Sequence, residues 1–173
     1  KICGGAFKDC SSLTAITIPE SVQEIWDWRY DGAAFEGCSG LEKIEVNENN
    51  DYYRSENNCI IERDSETLSL ACKNTVIPES VKRISDAAFY GCSGLTRVTI
   101  PKNVEEIAAG AFAGCSGLKT IEVAQDNPVY RSENNCIIEK DSDTLIFGCK
   151  NTVIPESVKI IGEYAFCECS GLT

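Results

Sequence analysis

Residues 88–110 read AFYGCSGLTRVTIPKNVEEIAAG, and the chain keeps returning to this pattern. The next unit opens at Ala111 with AFAGCSGLKTIEV. Earlier units open at Ala34 (AFEGCSGLEKIEV) and Ala6 (AFKDCSSLTAITIPESVQEI), and a shortened one opens at Ala165 (AFCECSGLT). The Ala-Phe pairs at 6, 34, 88, 111 and 165 are spaced by 28, 54, 23 and 54 residues. The base unit is therefore 23 residues. The 28-residue unit carries five extra residues, 28–32, and each 54-residue unit carries 31 more. Residues 53–82 and 130–159 differ at only five positions, which sets a longer period of 77. A fixed period of about 20–50 residues marks a stack of repeats that share one core.

One unit contains the physics of all of them. Val98 and Ile100 alternate as one face of a short strand, and Leu95 leads into it. Pro101 ends the strand because it has no N–H to give to a ladder. Val104 and Ile107 return across the coil. Ala111, Phe112 and Cys115 then predict a single helical turn, broken by Ser116-Gly117. A lone unit leaves its apolar side exposed, and stacked neighbours bury it. Strands are predicted at 14–18, 42–46, 96–100 and 119–123. Each long unit predicts an inserted hairpin, 59–63 with 68–72 and 136–140 with 145–149, and a short strand at 75–77 rejoins the regular pattern.

The rarer residues keep the same register. Four of the five prolines (Pro19, Pro78, Pro101, Pro155) follow the strand isoleucine. Five of the six phenylalanines (Phe7, Phe35, Phe89, Phe112, Phe166) share one repeat position, which predicts a buried ladder of rings.

The recurring AFxGCSGL-xxIxIPxxVxxI resembles the BspA-like class of leucine-rich repeats found in bacterial surface proteins. The resemblance covers essentially the whole chain. It implies an α/β repeat, a right-handed leucine-rich-repeat solenoid with short parallel strands on its concave side, short convex helical turns and two inserted hairpins. It also implies a cell-surface or secreted, adhesin-like protein. Family members often place Gly after the last Ile, as at Gly162, where Trp26, Ser85 and Ala108 stand in the other units. No linker interrupts residues 1–173, which read as one solenoid segment cut in mid-repeat at both ends.

Charge and chemistry narrow the function classes. The net charge of −11, from 27 acidic and 16 basic residues, disfavours nucleic acid and anionic membrane surfaces. No apolar run approaches a membrane span. With no histidine, Ser-His and Cys-His pairs and Cys/His zinc sites are excluded. No phosphate loop is present, and acidic pairs such as Glu105-Glu106 read as a solvated coil edge. The NENND and QDN runs lack the spacing of a calcium loop and read as polar turns. The segment is expected to be no enzyme, with no cofactor and no metal.

There are eleven cysteines. Cys10, Cys38, Cys92, Cys115 and Cys169 fill the repeat slot before Ser, where a buried thiol acts as a small apolar group. Cys167 takes the place of Tyr90 and Ala113 and is expected to be exposed. If Arg63 pairs with Leu68, Cys59 faces Cys72, and by the same count Cys136 faces Cys149. Two packed free thiols and a bridge both fit that register.

Two binding functions remain. In the first, the segment is a scaffold that binds a host or cell-surface protein. Its contacts are the outward side chains of the strands: Ala15 and Thr17, Lys43 and Glu45, Arg97 and Thr99, and Thr120 and Glu122. In the second, it binds carbohydrate or acts only as a spacer. Stacking on sugars would use the aromatics of residues 26–30. The insertion at 28–32 maps to a surface loop, which makes Trp26, Trp28, Arg29 and Tyr30 contact candidates of the residue types enriched in hot spots; the alternative is that Trp26 packs over the convex side and Trp28 covers the gap that the insertion opens.

Overall fold

The computed structural model describes residues 1–25 and 33–169. Its strands, in chain order, are β1 (Ala15–Ile18), β2 (Lys43–Val46), β3 (Tyr53–Glu56), β4 (Cys59–Glu62), β5 (Thr67–Leu70), β6 (Arg83–Ile84) and β7 (Arg97–Ile100). They continue with β8 (Glu106–Ile107), β9 (Thr120–Val123), β10 (Tyr130–Glu133), β11 (Cys136–Glu139), β12 (Thr144–Gly148) and β13 (Ile160–Ile161). The four repeat strands each start one residue later than the sequence predicts. β1 pairs with β2 and β7 with β9, both in parallel, at the same position of successive coils. Inward Ile44, Val98, Ile100 and Ile121 are buried and the residues between them face out. Each such Ile or Val stabilises the stack by about 1.5–3 kcal/mol relative to exposure.

The return stretch of each coil forms a second parallel ladder. Leu68, Ile84 and Ile107 stack across β5, β6 and β8, Leu145 pairs with Ile161, and Ile2 bridges Ile25.

The expected helical turns are absent: the described residues contain no helix, so the fold is an all-β repeat rather than α/β. The reason lies in where the amides go. Phe89 N donates to Ala111 O (2.8 Å) and Gly91 N to Ala113 O (3.0 Å), from coil to coil instead of along a helix. Only isolated turns close locally, such as Cys92 N to Phe89 O at 3.0 Å. The residue before each slot cysteine has positive φ (Asp9 58°, Gly37 73°, Gly91 69°, Gly114 72°, Glu168 55°), which ends a helical turn as it starts.

Each long unit holds a three-stranded antiparallel meander, β3-β4-β5 and β10-β11-β12, one strand more than the predicted hairpin. Asn57-Asn58 and Asn134-Asn135 make the extra turn, with φ between 48° and 61°. Such two-residue left-handed turns match the twist of a hairpin, and Asn tolerates them. The predicted hairpin register is corrected: the turn sits one residue earlier, so that Glu62 faces Thr67, and a bulge follows. Ile61 faces Leu68 and Ile60 faces Leu70, so Ser69 is the extra residue. In the second unit Cys136 faces Gly148, not Cys149. Cys59 packs in the core around Phe89, whereas Cys72 packs with Phe35. All eleven cysteines are free thiols. Cys167 is half-buried rather than exposed. Residues 75–77 form no strand, because Thr75 Oγ1 and Val76 N turn to the hairpin tip, bonding Asn58 O (2.6 Å) and Asn57 O (3.4 Å).

The ring ladder exists with one change. Phe7 stacks on Phe35 and Phe89 on Phe112, both with centroids 4.8 Å apart. Phe35, Phe89 and Phe112 are buried, whereas Phe7 and Phe166 at the two ends are half-buried. Phe147 of β12 joins Phe112 at 5.2 Å. Its counterpart one long period earlier is Leu70, which packs with Phe35. Gly148 leaves room for the next ring: a Cβ there would lie 2.4 Å from Phe166 Cε1.

Two asparagines fasten the long units to the coil before them. Asn50 and Asn127 are 1% and 0% exposed. Asn127 Nδ2 donates to Pro101 O (2.7 Å) and Val104 O (2.9 Å), and its Oδ1 accepts from Val129 N (2.9 Å) and Tyr130 N (2.7 Å). Asn50 makes the same four bonds to Pro19, Val22, Tyr52 and Tyr53. The NENND and QDN runs thus contain structural hydrogen-bond hubs.

Candidate binding face

The outward side chains of the repeat strands fall into rows. The register places Ala15 beside Lys43 and Thr17 beside Glu45, then Arg97 beside Thr120 and Thr99 beside Glu122. Lys43, Glu45, Arg97 and Thr99 are exposed, while Thr120 and Glu122 are half-buried. Lys43 Nζ pairs with Glu45 Oε1 at 2.7 Å along one strand. Arg97 Nη2 pairs with Glu122 Oε2 at 2.6 Å across two. The ladders fix the backbone beneath these four charges, while the side chains themselves stay open to solvent.

The structure does not bring these residues into one surface. β1-β2 and β7-β9 are separate two-stranded sheets. The first long unit lies between them: Asn74 Nδ2 reaches Glu42 O (3.4 Å) on one side, and Asn103 Nδ2 reaches Glu79 O (2.8 Å) on the other. Trp26, Trp28, Arg29 and Tyr30 lie outside the described residues.

Two residues of this face were missed from sequence. Val76 and Val153 are 67% and 68% exposed. The tract Val76-Ile77-Pro78 repeats Thr99-Ile100-Pro101, which puts Val76 in the outward slot of Thr99 and leaves Ile77 buried. That alignment was the available signal. Each valine adjoins its hairpin tip and stands near a charged cluster. In the first, Arg54 bonds Glu56, Glu66 and Ser80. In the second, Arg131 bonds Glu133, Asp143 and Ser157. Lys159 and Arg131 together hold the Asp143 carboxyl below its ordinary range.

The described residues offer little chemistry beyond contact. No group of three or more Cys, Asp or Glu side chains suited to a metal occurs among the described residues. The slot thiols are hydrogen-bonded to carbonyls of the neighbouring coil, Cys115 Sγ to Phe89 O at 3.1 Å and Cys92 Sγ to Ala71 O at 3.7 Å. Burial pushes the Cys115 thiol up to about 12 and Cys92 well above its usual value, the reverse of an activated thiol. No helix among the described residues is long and apolar enough to cross a membrane.

No protein of curated function matches the sequence. Among solved structures, a leucine-rich repeat protein from Eubacterium ventriosum ATCC 27560 superposes with a TM-score of 0.54 at 22% identity, over 94% of this chain and 48% of its own. The pneumococcal vaccine antigen PcpA gives 0.53 at 21% identity, over 66% of this chain and 28% of its own. A leucine-rich cell surface protein from Faecalibacterium prausnitzii A2-165 gives 0.49 at 23% identity, over 91% and 52%. The chain thus spans about half the length of these proteins or less, and at this identity the likeness concerns the fold. The profile of the BspA-type leucine-rich repeat region matches in six copies, over residues 1–60, 60–137 and 143–173. The chain belongs to the BspA-type leucine-rich repeat family.

Proposed function

We propose that the chain is a non-catalytic protein-binding segment of a bacterial surface or secreted protein, with the outward strand face as its contact surface. The observation that carries this reading is that the outward slots of the coils hold exposed Val76 and Val153 and the charged pairs Lys43–Glu45 and Arg97–Glu122, spread over separate sheets. Isolated exposed apolar residues are ordinary, but these two recur at the same repeat slot, and Ile154 beside Val153 is 48% exposed as well. Membership of the family and the likeness in fold to a pneumococcal vaccine antigen support surface placement.

The test is surface plasmon resonance of residues 1–173 against immobilised host matrix proteins. Binding is expected, and the Val76→Asp/Val153→Asp variant with reversed Arg97–Glu122 charges should lose at least about thirtyfold, one hot-spot equivalent, at unchanged melting temperature. Full binding by that variant would remove the face from the interface. A saccharide reading has one supporting feature, a groove beside half-exposed Tyr52 lined by Gln23, Glu62, Asp64 and Ser65. Binding on a glycan array that Tyr52→Ala abolishes, with no matrix protein bound, would favour it.

A further inference from the structure

Five cysteines occupy the same turn of the repeat, and two adjacent pairs share one geometry. Cys38 Sγ donates to Phe7 O at 3.1 Å, and Cys10 N donates to the same oxygen at 3.1 Å. Cys115 Sγ and Cys92 N converge likewise on Phe89 O, at 3.1 and 3.0 Å. The later thiol of each pair therefore lies over the turn that carries the earlier cysteine. The backbones touch at this level. A Cβ on Gly37 would lie 3.2 Å from Asp9 Cα, and one on Gly114 3.2 Å from Gly91 Cα. Stacked strands run about 4.8 Å apart, inside the roughly 4.4–6.8 Å between Cα atoms that a disulfide spans.

Access separates the two pairs. Cys10 is exposed and Cys38 half-buried. Cys115 is buried, and Cys92 is half-buried against the core of Phe89 and Phe112. A small oxidant meets an exposed thiol in the first pair and none in the second.

We propose that Cys10 and Cys38 are a disulfide site that fastens the first coil to the second when the protein meets a low-molecular-weight disulfide. With glutathione disulfide, the Cys10 thiolate attacks one sulfur, the S–S bond breaks, and one glutathione thiolate leaves. Cys38 gives its proton to solvent and attacks the Cys10 sulfur of the mixed disulfide, releasing the second glutathione thiolate. Two cysteines are oxidised, one glutathione disulfide is reduced to two glutathiones, and the two protons lost by the protein are taken up by them. Cys92 and Cys115 serve as the internal control, with like geometry and no exposed attacking thiol.

The experiment incubates the folded chain 1–173 with glutathione disulfide, blocks the remaining thiols under denaturing conditions, and maps cross-links by mass spectrometry. The expected result is a loss of two of the eleven free thiols, with Cys10–Cys38 the main cross-link and Cys92 and Cys115 still free. Cys10→Ser, at an exposed site, should abolish the cross-link without changing the circular dichroism spectrum. A glutathione adduct on Cys10 that never resolves would overturn the proposal. So would a main product joining exposed Cys3 to Cys10, or a Cys92–Cys115 cross-link of equal yield. Equal yield of Cys10–Cys38 from the urea-unfolded chain would also overturn it, since the fold would then contribute nothing.

Discussion

The hydroxyl of Tyr130 accepts a hydrogen bond from the amide of Ile107 at 3.1 Å. Ile107 is the last rung of the return ladder before the second long unit, so the phenol replaces the carbonyl of a missing next strand. Tyr53 does the same for Ile25 at 3.0 Å. Tyr130→Phe leaves a buried N–H unpaired and is expected to destabilise the chain by about 1–3 kcal/mol. Urea denaturation measures it, and a midpoint equal to the parent's would mean that the amide finds another acceptor.

Asn127→Ala removes four hydrogen bonds at a site with no exposure. The loss is expected to be about 3–5 kcal/mol, allowing partial relaxation of groups that each cost about 1–3 when orphaned. Asn127→Asp keeps the acceptor and loses the donor, so it should retain more stability than Ala above the carboxyl's pKa only if the contacts to Val129 N and Tyr130 N outweigh repulsion from Pro101 O and Val104 O. Equilibrium unfolding of both variants decides the order.

Phe112 touches rings on both sides, Phe89 and Phe147. Phe112→Ala is expected to cost about 3–5 kcal/mol, as for other buried aromatics. Phe7→Ala, at a half-buried end of the ladder, should cost less. Calorimetry that found equal shifts for the two would deny the gradient of burial.

Burial pushes the Cys59 thiol up to about 12, against 9.0 for the unperturbed group. Below pH 9 the thiol is neutral in both states and its contribution is constant. Above that the unfolded chain ionises first, so the stability it contributes is lost as pH rises toward about 12. Cys59→Ala should therefore show a shallower alkaline decline of the urea midpoint than the parent. Parallel profiles would mean that Cys59 ionises alike in both states.

The repeat strands were legible because inward and outward residues alternate in each unit, and repetition confirmed the register. The helical turns were misread at Ala111 to Cys115 because an apolar pair followed by Cys fits a helical face as well as it fits a coil edge. What decides between them is a partner strand 22 or so residues away, as in Phe89 N to Ala111 O, which a local reading does not contain. The first hairpin turn was present as Asn57-Asn58, a recognisable left-handed dipeptide that was passed over. The bulge at Ser69 was not legible, because one extra residue leaves the alternation of neighbours intact and shifts only what they face. On the binding face, Lys43, Glu45, Arg97, Thr99, Thr120 and Glu122 landed outward as alternation requires, whereas their separation into two sheets arises from the inserts.

Those inserts do not cross the whole molecule. On the strand side, residues 73–79 form a layer between the coil of Glu42 and the coil of Asn103. On the turn side the layer thins to Ala71, whose carbonyl accepts from Cys92 Sγ at 3.7 Å, and at the turn tip it is gone: a Cβ on Gly91 would lie 3.6 Å from Gly37 Cα. The second insert behaves alike, since Gly114 N reaches Cys167 O directly at 3.4 Å. A layer that is thick on one flank and thin on the other is a keystone. Each one tips the coils that follow toward the turn side, so the pitch of the axis is set by how many inserts the chain carries and where. Deleting one insert cleanly would swing the remaining coils about that joint, shortening the outward flank more than the thiol-bearing flank.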